Sequence, residues 1–151
     1  MRFYKKSNKP EKYPFFLICC KNLEIPMPYC DTSTGEVLFA KELGRDWRTD
    51  YLFIIGEKKI AVEIEGGVFG NGGHNRPEVY SDNCHKYNCY AMLGYTVLRF
   101  TSKQAKENPS WCAQTVKAVI DSTTPPHLFE AIKTTKEANK RAAKKRIIKK
   151  L

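Results

Sequence analysis

The sequence lacks most of what would tie a chain to a membrane, a secretory route or a metal-stapled scaffold. Its longest apolar run falls far short of a membrane span, and no leader of charged, apolar and small residues opens it. The expectation is a soluble, intracellular, cytoplasmic protein with no membrane partner. The six cysteines (19, 20, 30, 84, 89 and 112) include no Cys-x-x-Cys spacing. Reduced thiols are therefore expected rather than a disulfide framework. Cys84-His85 with Cys89 makes a poor zinc site, because a five-residue separation divides the two thiols on a helix and no second ligand pair has standard spacing. The glycine-rich stretch Gly66-Gly67 with Gly70-Asn71-Gly72-Gly73 has no Gly-Lys-Ser/Thr ending, which excludes a phosphate loop of the NTPase kind. Internal repeats and low-complexity tracts are absent. What remains is a chain of 151 residues, 42% hydrophobic, enough for one domain with a real core.

Acidic residues are scarce only at the two ends. Residues 1–13 carry a net charge of +4 and residues 126–151 a net of +7, while the stretch between them holds −1 of the total of +10. Basic arms on a near-neutral body are the footprint of a polyanion binder, with a solubilising tail as the plainer reading. On the binding reading, Lys140, Arg141, Lys144, Lys145 and Arg146 are candidate phosphate contacts. Three segments follow: a basic arm over 1–13, a globular unit over 14–124, and a basic helical tail over 125–151. Pro125-Pro126 marks the second boundary. The tail is rich in Ala, Lys and Glu, which favours helix. Its apolar positions are sparse, so folding only against a partner is the alternative to a helix that stands alone.

Within the body, Phe15 to Leu23 reads as a short helix packing on a sheet, with a strand as the alternative because the run is apolar throughout. Glu36 to Ala40 reads as an edge strand. A second strand is read over the run Arg48 to Phe53, with Asp50 in it, and a tight Gly56-Glu57-Lys58-Lys59 hairpin leads to a third, Ile60 to Glu65. The glycine-rich stretch suggests a mobile loop beside a substrate groove. A helix is expected from about Pro77 to Leu93, closed by Gly94, then a buried strand Tyr95 to Phe100 and a covering helix around Pro109–Asp121.

Asp50, Glu63 and Glu65 carry the chemistry. Residues two apart in a strand share a face, so Glu63 and Glu65 point together while Ile64 faces the other way. Three carboxylates converging at strand ends repel one another unless a cation neutralises them. Oxygen-only ligands suit Mg²⁺ or Mn²⁺ better than Zn²⁺. The contrary reading is a solvated sheet face whose acids never meet.

The ordered set Trp47-Arg48-Thr49-Asp50-Tyr51, Ala61-Val62-Glu63-Ile64-Glu65-Gly66-Gly67, Asp82 with Lys86-Tyr87-Asn88, and Gly94-Tyr95-Thr96-Val97-Leu98-Arg99-Phe100 resembles the PD-(D/E)XK nuclease superfamily. Residues 36–104 are similar to its small endonucleases, above all the very-short-patch-repair-like and phage Holliday-junction-resolvase-like members. The resemblance implies an α/β fold with a restriction-endonuclease-like core, a mixed four-stranded sheet flanked by helices, and a nuclease-like domain over 14–124. It implies a metal-dependent deoxyribonuclease using Mg²⁺ or Mn²⁺, acting on DNA, with junction or branched DNA as one substrate class. Cutting two strands would call for a homodimer. For a phage protein, the place of action would be the host cell.

Carried over by position, Asp50 resembles the bridging aspartate and Glu63 its acidic partner, and the Ile64 carbonyl stands where the family often supplies a further ligand. Glu65 occupies the place of the usual lysine. A second metal ion, or Lys86 reaching in from the helix, could replace the missing positive charge. Lys86 could instead form an i,i+4 ion pair with Asp82. Glu36 fits a recurrent upstream glutamate better than Glu42, and a plain surface carboxylate is the alternative for each. Glu65 or Lys86 would orient or deprotonate the attacking water. Arg48, two before Asp50, would neutralise the acidic cluster or contact the substrate backbone. Arg76, beside the glycine-rich stretch, reads as a phosphate clamp, with a plain surface arginine as the alternative; His74 reads as a loop residue, and Tyr87 and Trp47 read as core. The competing functions are a nuclease-like module that has lost cleavage and holds DNA through its arms, and a small structural or adaptor protein, which the basic arms disfavour.

Overall fold

The structure, a computed structural model, describes residues 11–29, 36–66, 77–130, 132–134 and 139–140. Proline at the first helical position starts helix α1 (Pro14–Asn22), so the apolar run resolves as helix rather than strand. Phe16 and Cys20, one turn apart, are its buried positions. Strand β1 (Val37–Leu38) is followed by a 3₁₀ turn at Lys41–Leu43 and by β2 (Arg48–Thr49). β3 (Tyr51–Ile55) and β4 (Lys58–Glu65) form the expected hairpin. Its two-residue turn places Gly56 at φ +58°, a conformation that suits glycine. Helix α2 (Pro77–Met92) crosses over to β5 (Tyr95–Thr101), which pairs parallel with β4. Gly94, at φ +74°, lets the chain leave α2 in the left-handed conformation. Helices α3 (Ser102–Glu107) and α4 (Pro109–Ile120) follow.

This is a mixed α/β arrangement, but the strands divide differently from the expected four-stranded sheet. Among the described residues, β3, β4 and β5 form a three-stranded sheet in that order, and β1 and β2 form an antiparallel pair of their own. The reason lies at Asp50. The β3–β4 ladder ends at Tyr51 opposite Val62. Beyond that point side chains replace it: the Ile64 amide donates to Asp50 Oδ2 (2.7 Å), and the Thr49 hydroxyl donates to the Val62 carbonyl (3.1 Å). Asp50 thus sits in a bend between two short strands rather than inside one.

Alternation along β4 sorts the two faces of the sheet. Ile60, Val62 and Ile64 join a core with Phe16, Phe53, Phe100 and Val116, under α1, α3 and α4. Ala61 joins a second cluster with Phe39, Ala40, Cys89 and Tyr90, under α2. Phe39 stacks on Tyr90 with ring centroids 3.8 Å apart, which ties β1 to α2. Burial pushes the Cys20 and Cys112 thiols up to about 12, so neither is a reactive thiolate at neutral pH. After Pro125 the chain is helical at 126–130, 132–134 and 139–140. Leu128 is buried there, and its carbonyl accepts from Trp111 Nε1 of α4 (3.4 Å). No helix among the described residues is long and apolar enough to cross a membrane.

Candidate active site

Glu63 and Glu65 emerge on the α2 side of β4, and each meets a cation. Lys86 Nζ lies 2.8 Å from Glu63 Oε1, with the two side chains only 17% and 12% exposed. The Tyr90 hydroxyl donates to the same Glu63 oxygen. Lys86 and Tyr90 are four apart on α2 and so reach down from one face of the helix. Asp82, the other partner considered for Lys86, pairs instead with Arg45 and accepts from Trp47 Nε1 (3.1 Å). Of the two readings of Lys86, the geometry therefore has it reaching toward the acids.

Glu65 is held differently. Its Oε1 accepts from the Tyr87 hydroxyl (2.8 Å) and from Arg99 Nε (2.9 Å), and the Arg99 guanidinium lies 4.4 Å from the centre of the Tyr87 ring. Tyr87 packs at the margin of the second core, as its apolar ring requires, yet its hydroxyl serves the acidic cluster.

The acids titrate in opposite directions. Burial pushes the Asp50 carboxyl above its ordinary range. The Ile64 amide opposes this, Glu36 adds to it, and the charges of Lys12 and Lys86 act against it without cancelling it. Burial also raises Glu63; the charge and hydrogen bond of Lys86 and the Tyr90 hydroxyl pull it back only in part, and Asp50 adds repulsion. For Glu65 burial is outweighed by the hydrogen bonds from Tyr87 and Arg99 and by the charges of Arg99 and Lys86, so its carboxyl lies below the usual range. Negative charge is under-compensated at Asp50 and Glu63 and compensated at Glu65.

Glu36 belongs to this neighbourhood, since its charge acts on Asp50, whereas that of Glu42 acts on Tyr95. The Ile64 amide donates to Asp50, and in an extended strand a residue's carbonyl leaves on the same side as its amide, so the Ile64 carbonyl lies on the β3-facing edge of β4. Arg48 lies in β2 opposite Leu38. Lys140 is exposed on the helical tail. Arg76, His74, the glycine-rich loop beyond Gly66, Cys30, and Arg141, Lys144, Lys145 and Arg146 lie outside the described residues. Asn88 lines a groove of about 370 Å³ with Arg45, Trp47, Asp82 and His85.

The sequence reading missed Arg99, Tyr90 and Lys12 as neighbours of the acids. A signal existed for Arg99: in a parallel pair the polar residue of β5 level with Glu63 must lie near the β4 carboxylates.

Asp50, Glu63, the Ile64 carbonyl and the nearby Glu36 offer only oxygen, as Mg²⁺ or Mn²⁺ requires. Asp50 and Glu63 each engage one carboxylate oxygen in a hydrogen bond and leave the other without a bond to any described residue. That is the state in which a carboxylate can accept a cation. No group of three His, Cys, Asp or Glu side chains among the described residues is already gathered as a metal cage. Mg²⁺ characteristically takes one or two carboxylates and keeps several waters, so two acids and a carbonyl suffice. Comparison of the chain with protein families, curated proteins and solved structures gives no match.

Proposed function

We propose that this chain is a divalent-metal-dependent endonuclease that hydrolyses DNA phosphodiester bonds, built on a reduced form of the restriction-endonuclease-like core. Asp50 and Glu63 would hold Mg²⁺ or Mn²⁺, with the Ile64 carbonyl as a further ligand and Glu36 as an additional acid. The bound ion would act as Lewis acid toward the phosphate and lower the pKa of the attacking water. Lys86 would neutralise charge that builds on the phosphate oxygens in the transition state and help orient the water. The basic ends would hold the DNA backbone, with Arg48 and Arg76 nearer the site. Branched or junction DNA is the substrate class favoured by the resemblance, and cutting both strands would bring in a second copy of the chain.

One observation carries this reading. A lysine from α2 forms a largely buried bridge to Glu63, next to an aspartate whose negative charge is under-compensated. A purely structural ion pair has no need of that second acid. The decisive test is nicking of supercoiled plasmid with Mg²⁺, against a chelator control and Asp50→Ala. Nicking that needs Mg²⁺ and vanishes in Asp50→Ala is the expected result. No nicking by the native chain, or nicking unchanged in the variant, rejects it.

The competing reading, a module that binds DNA without cutting it, draws on Glu65. That glutamate stands where the resemblance puts lysine, and Arg99 neutralises it. Salt-dependent DNA binding without cleavage at any Mg²⁺ or Mn²⁺ concentration would decide for this reading.

A further inference from the structure

Arg99 is held from behind and open in front. Its Nε donates to Glu65 and its guanidinium lies over the Tyr87 ring, while the Tyr87 hydroxyl fixes the same Glu65 oxygen. Three contacts therefore set the plane of the group. Yet the side chain is 54% exposed, and its two terminal nitrogens make no hydrogen bond or ion pair with any described residue. Four N–H donors in a fixed fork are presented to solvent beside Glu63, with which Arg99 is in register across the β4–β5 pair. A rigid fork of this kind matches two oxygens of one phosphate. The pairing with Glu65 runs through Nε alone, at 2.9 Å, so it neutralises the carboxylate without using the terminal nitrogens.

We propose that Arg99 is a phosphate-binding residue that takes a backbone phosphodiester of the nucleic acid, and that Glu65 with Tyr87 positions it rather than ligating a metal. The inference rests on the nucleic-acid reading above and refines it. Glu65 then has its role from two partners already in place, and the metal falls to Asp50 and Glu63, of which Asp50 has no ion pair among the described residues.

The test uses the full chain and labelled four-way-junction and linear duplex DNA, with Ca²⁺ replacing Mg²⁺ so that binding is read without cleavage. Affinity is followed against salt for the native chain, Arg99→Gln, Arg99→Lys, Glu65→Gln and Tyr87→Phe, with circular dichroism confirming that each is folded. Mn²⁺ affinity is titrated separately without DNA. Loss of one phosphate contact should flatten the log–log salt slope by about 0.9 in Arg99→Gln, with duplex affinity falling about tenfold. Arg99→Lys should recover the slope but not the full affinity, because charge returns without the fork. Glu65→Gln and Tyr87→Phe should keep the slope, leave Mn²⁺ affinity within about threefold, and lower affinity by less than Arg99→Gln does. Combined with Arg99→Gln, neither should add a further loss, since both act through Arg99. An unchanged slope in Arg99→Gln overturns the proposal, as does a tenfold loss of Mn²⁺ affinity in Glu65→Gln, which would make Glu65 a ligand. A native chain that binds DNA but never cuts it rejects the nuclease reading and leaves the slope comparison intact. A native chain with no salt-dependent DNA binding rejects both.

Discussion

Replacing Lys86 by methionine separates a working lysine from a merely structural one. Methionine keeps most of the side-chain volume and deletes the charge. Removing one partner of a fully buried ion pair costs about 3–5 kcal/mol, because the other charge is stranded. Here the bridge is largely but not wholly buried, and the Tyr90 hydroxyl still serves Glu63. A loss of about 2 kcal/mol is the reasoned figure, and for a chain of this size that lowers the melting temperature by about 4–8 °C.

The pH dependence fixes the sign. Burial raises the Glu63 carboxyl above its ordinary range, so ionising it costs stability as pH rises through its folded-state value. Lys86 is the largest of the influences that reduce this cost. The variant should therefore differ most from the native chain at neutral pH, and the difference should shrink in acid, where Glu63 is protonated in both. Differential scanning calorimetry between about pH 4 and 8 reads this directly. Nicking should fall by about 10²–10³-fold if Lys86 stabilises charge in the transition state. A variant that melts like the native chain at pH 7 and nicks within threefold of it would refute both the bridge and the catalytic role.

Asp50→Asn can still accept from the Ile64 amide but cannot ionise, so the metal-free protein should melt about 2–4 °C higher at neutral pH, the shift of about 1 kcal/mol, while nicking disappears. A lower melting temperature would show that Asp50 is not destabilising when ionised. Removing residues 126–151 should weaken DNA binding and flatten its salt dependence, but it also strips buried Leu128 from α4, so ending the chain at Thr134 is the cleaner cut. An unchanged salt slope after that cut would make the tail a solubiliser. Thr101→Ala removes the side-chain half of the capping box that opens α3, in which Thr101 Oγ1 accepts from the Gln104 amide (3.1 Å). About 1 kcal/mol should be lost in urea unfolding, with Mg²⁺ dependence unchanged.

Much of the framework was legible because local signals agreed with one another. Alternation in Ile60 to Glu65 put Ile64 in one core and both glutamates on the opposite face, and Gly56 and Gly94 marked the hairpin and the end of α2. The break at Asp50 was not legible. Nothing in Arg48 to Phe53 departs from a strand pattern, and the interruption comes from a long-range bond between its carboxylate and Ile64. The partners of the acids were only half legible for a similar reason. Helical spacing allowed Lys86 to meet either Asp82 or an acid of the sheet. Arg45 and Trp47, far away in sequence, decide the matter by occupying Asp82.

That competition bears on the glutamate at position 65. If a site of this kind needs one positive charge near its two metal-binding acids, the charge need not come from the strand that carries them. Here Lys86 supplies it from α2, at 2.8 Å from Glu63. A lysine at position 65 would then stand on the same face, two residues from Glu63, and crowd a second cation against Lys86 and Arg99. Glutamate there does the reverse, drawing Arg99 alongside at 2.9 Å and balancing its charge. On the proposed nuclease reading, glutamate at position 65 and the lysine on α2 would be two halves of one charge arrangement. Glu65→Lys alone should therefore not improve the site; it should expel Arg99 and weaken DNA binding, and only together with Lys86→Met and a neutral residue at position 99 should lysine at 65 be tolerated. Mg²⁺-dependent nicking by the single and triple variants measures this. A Glu65→Lys single variant more active than the native chain would show that the two changes are independent.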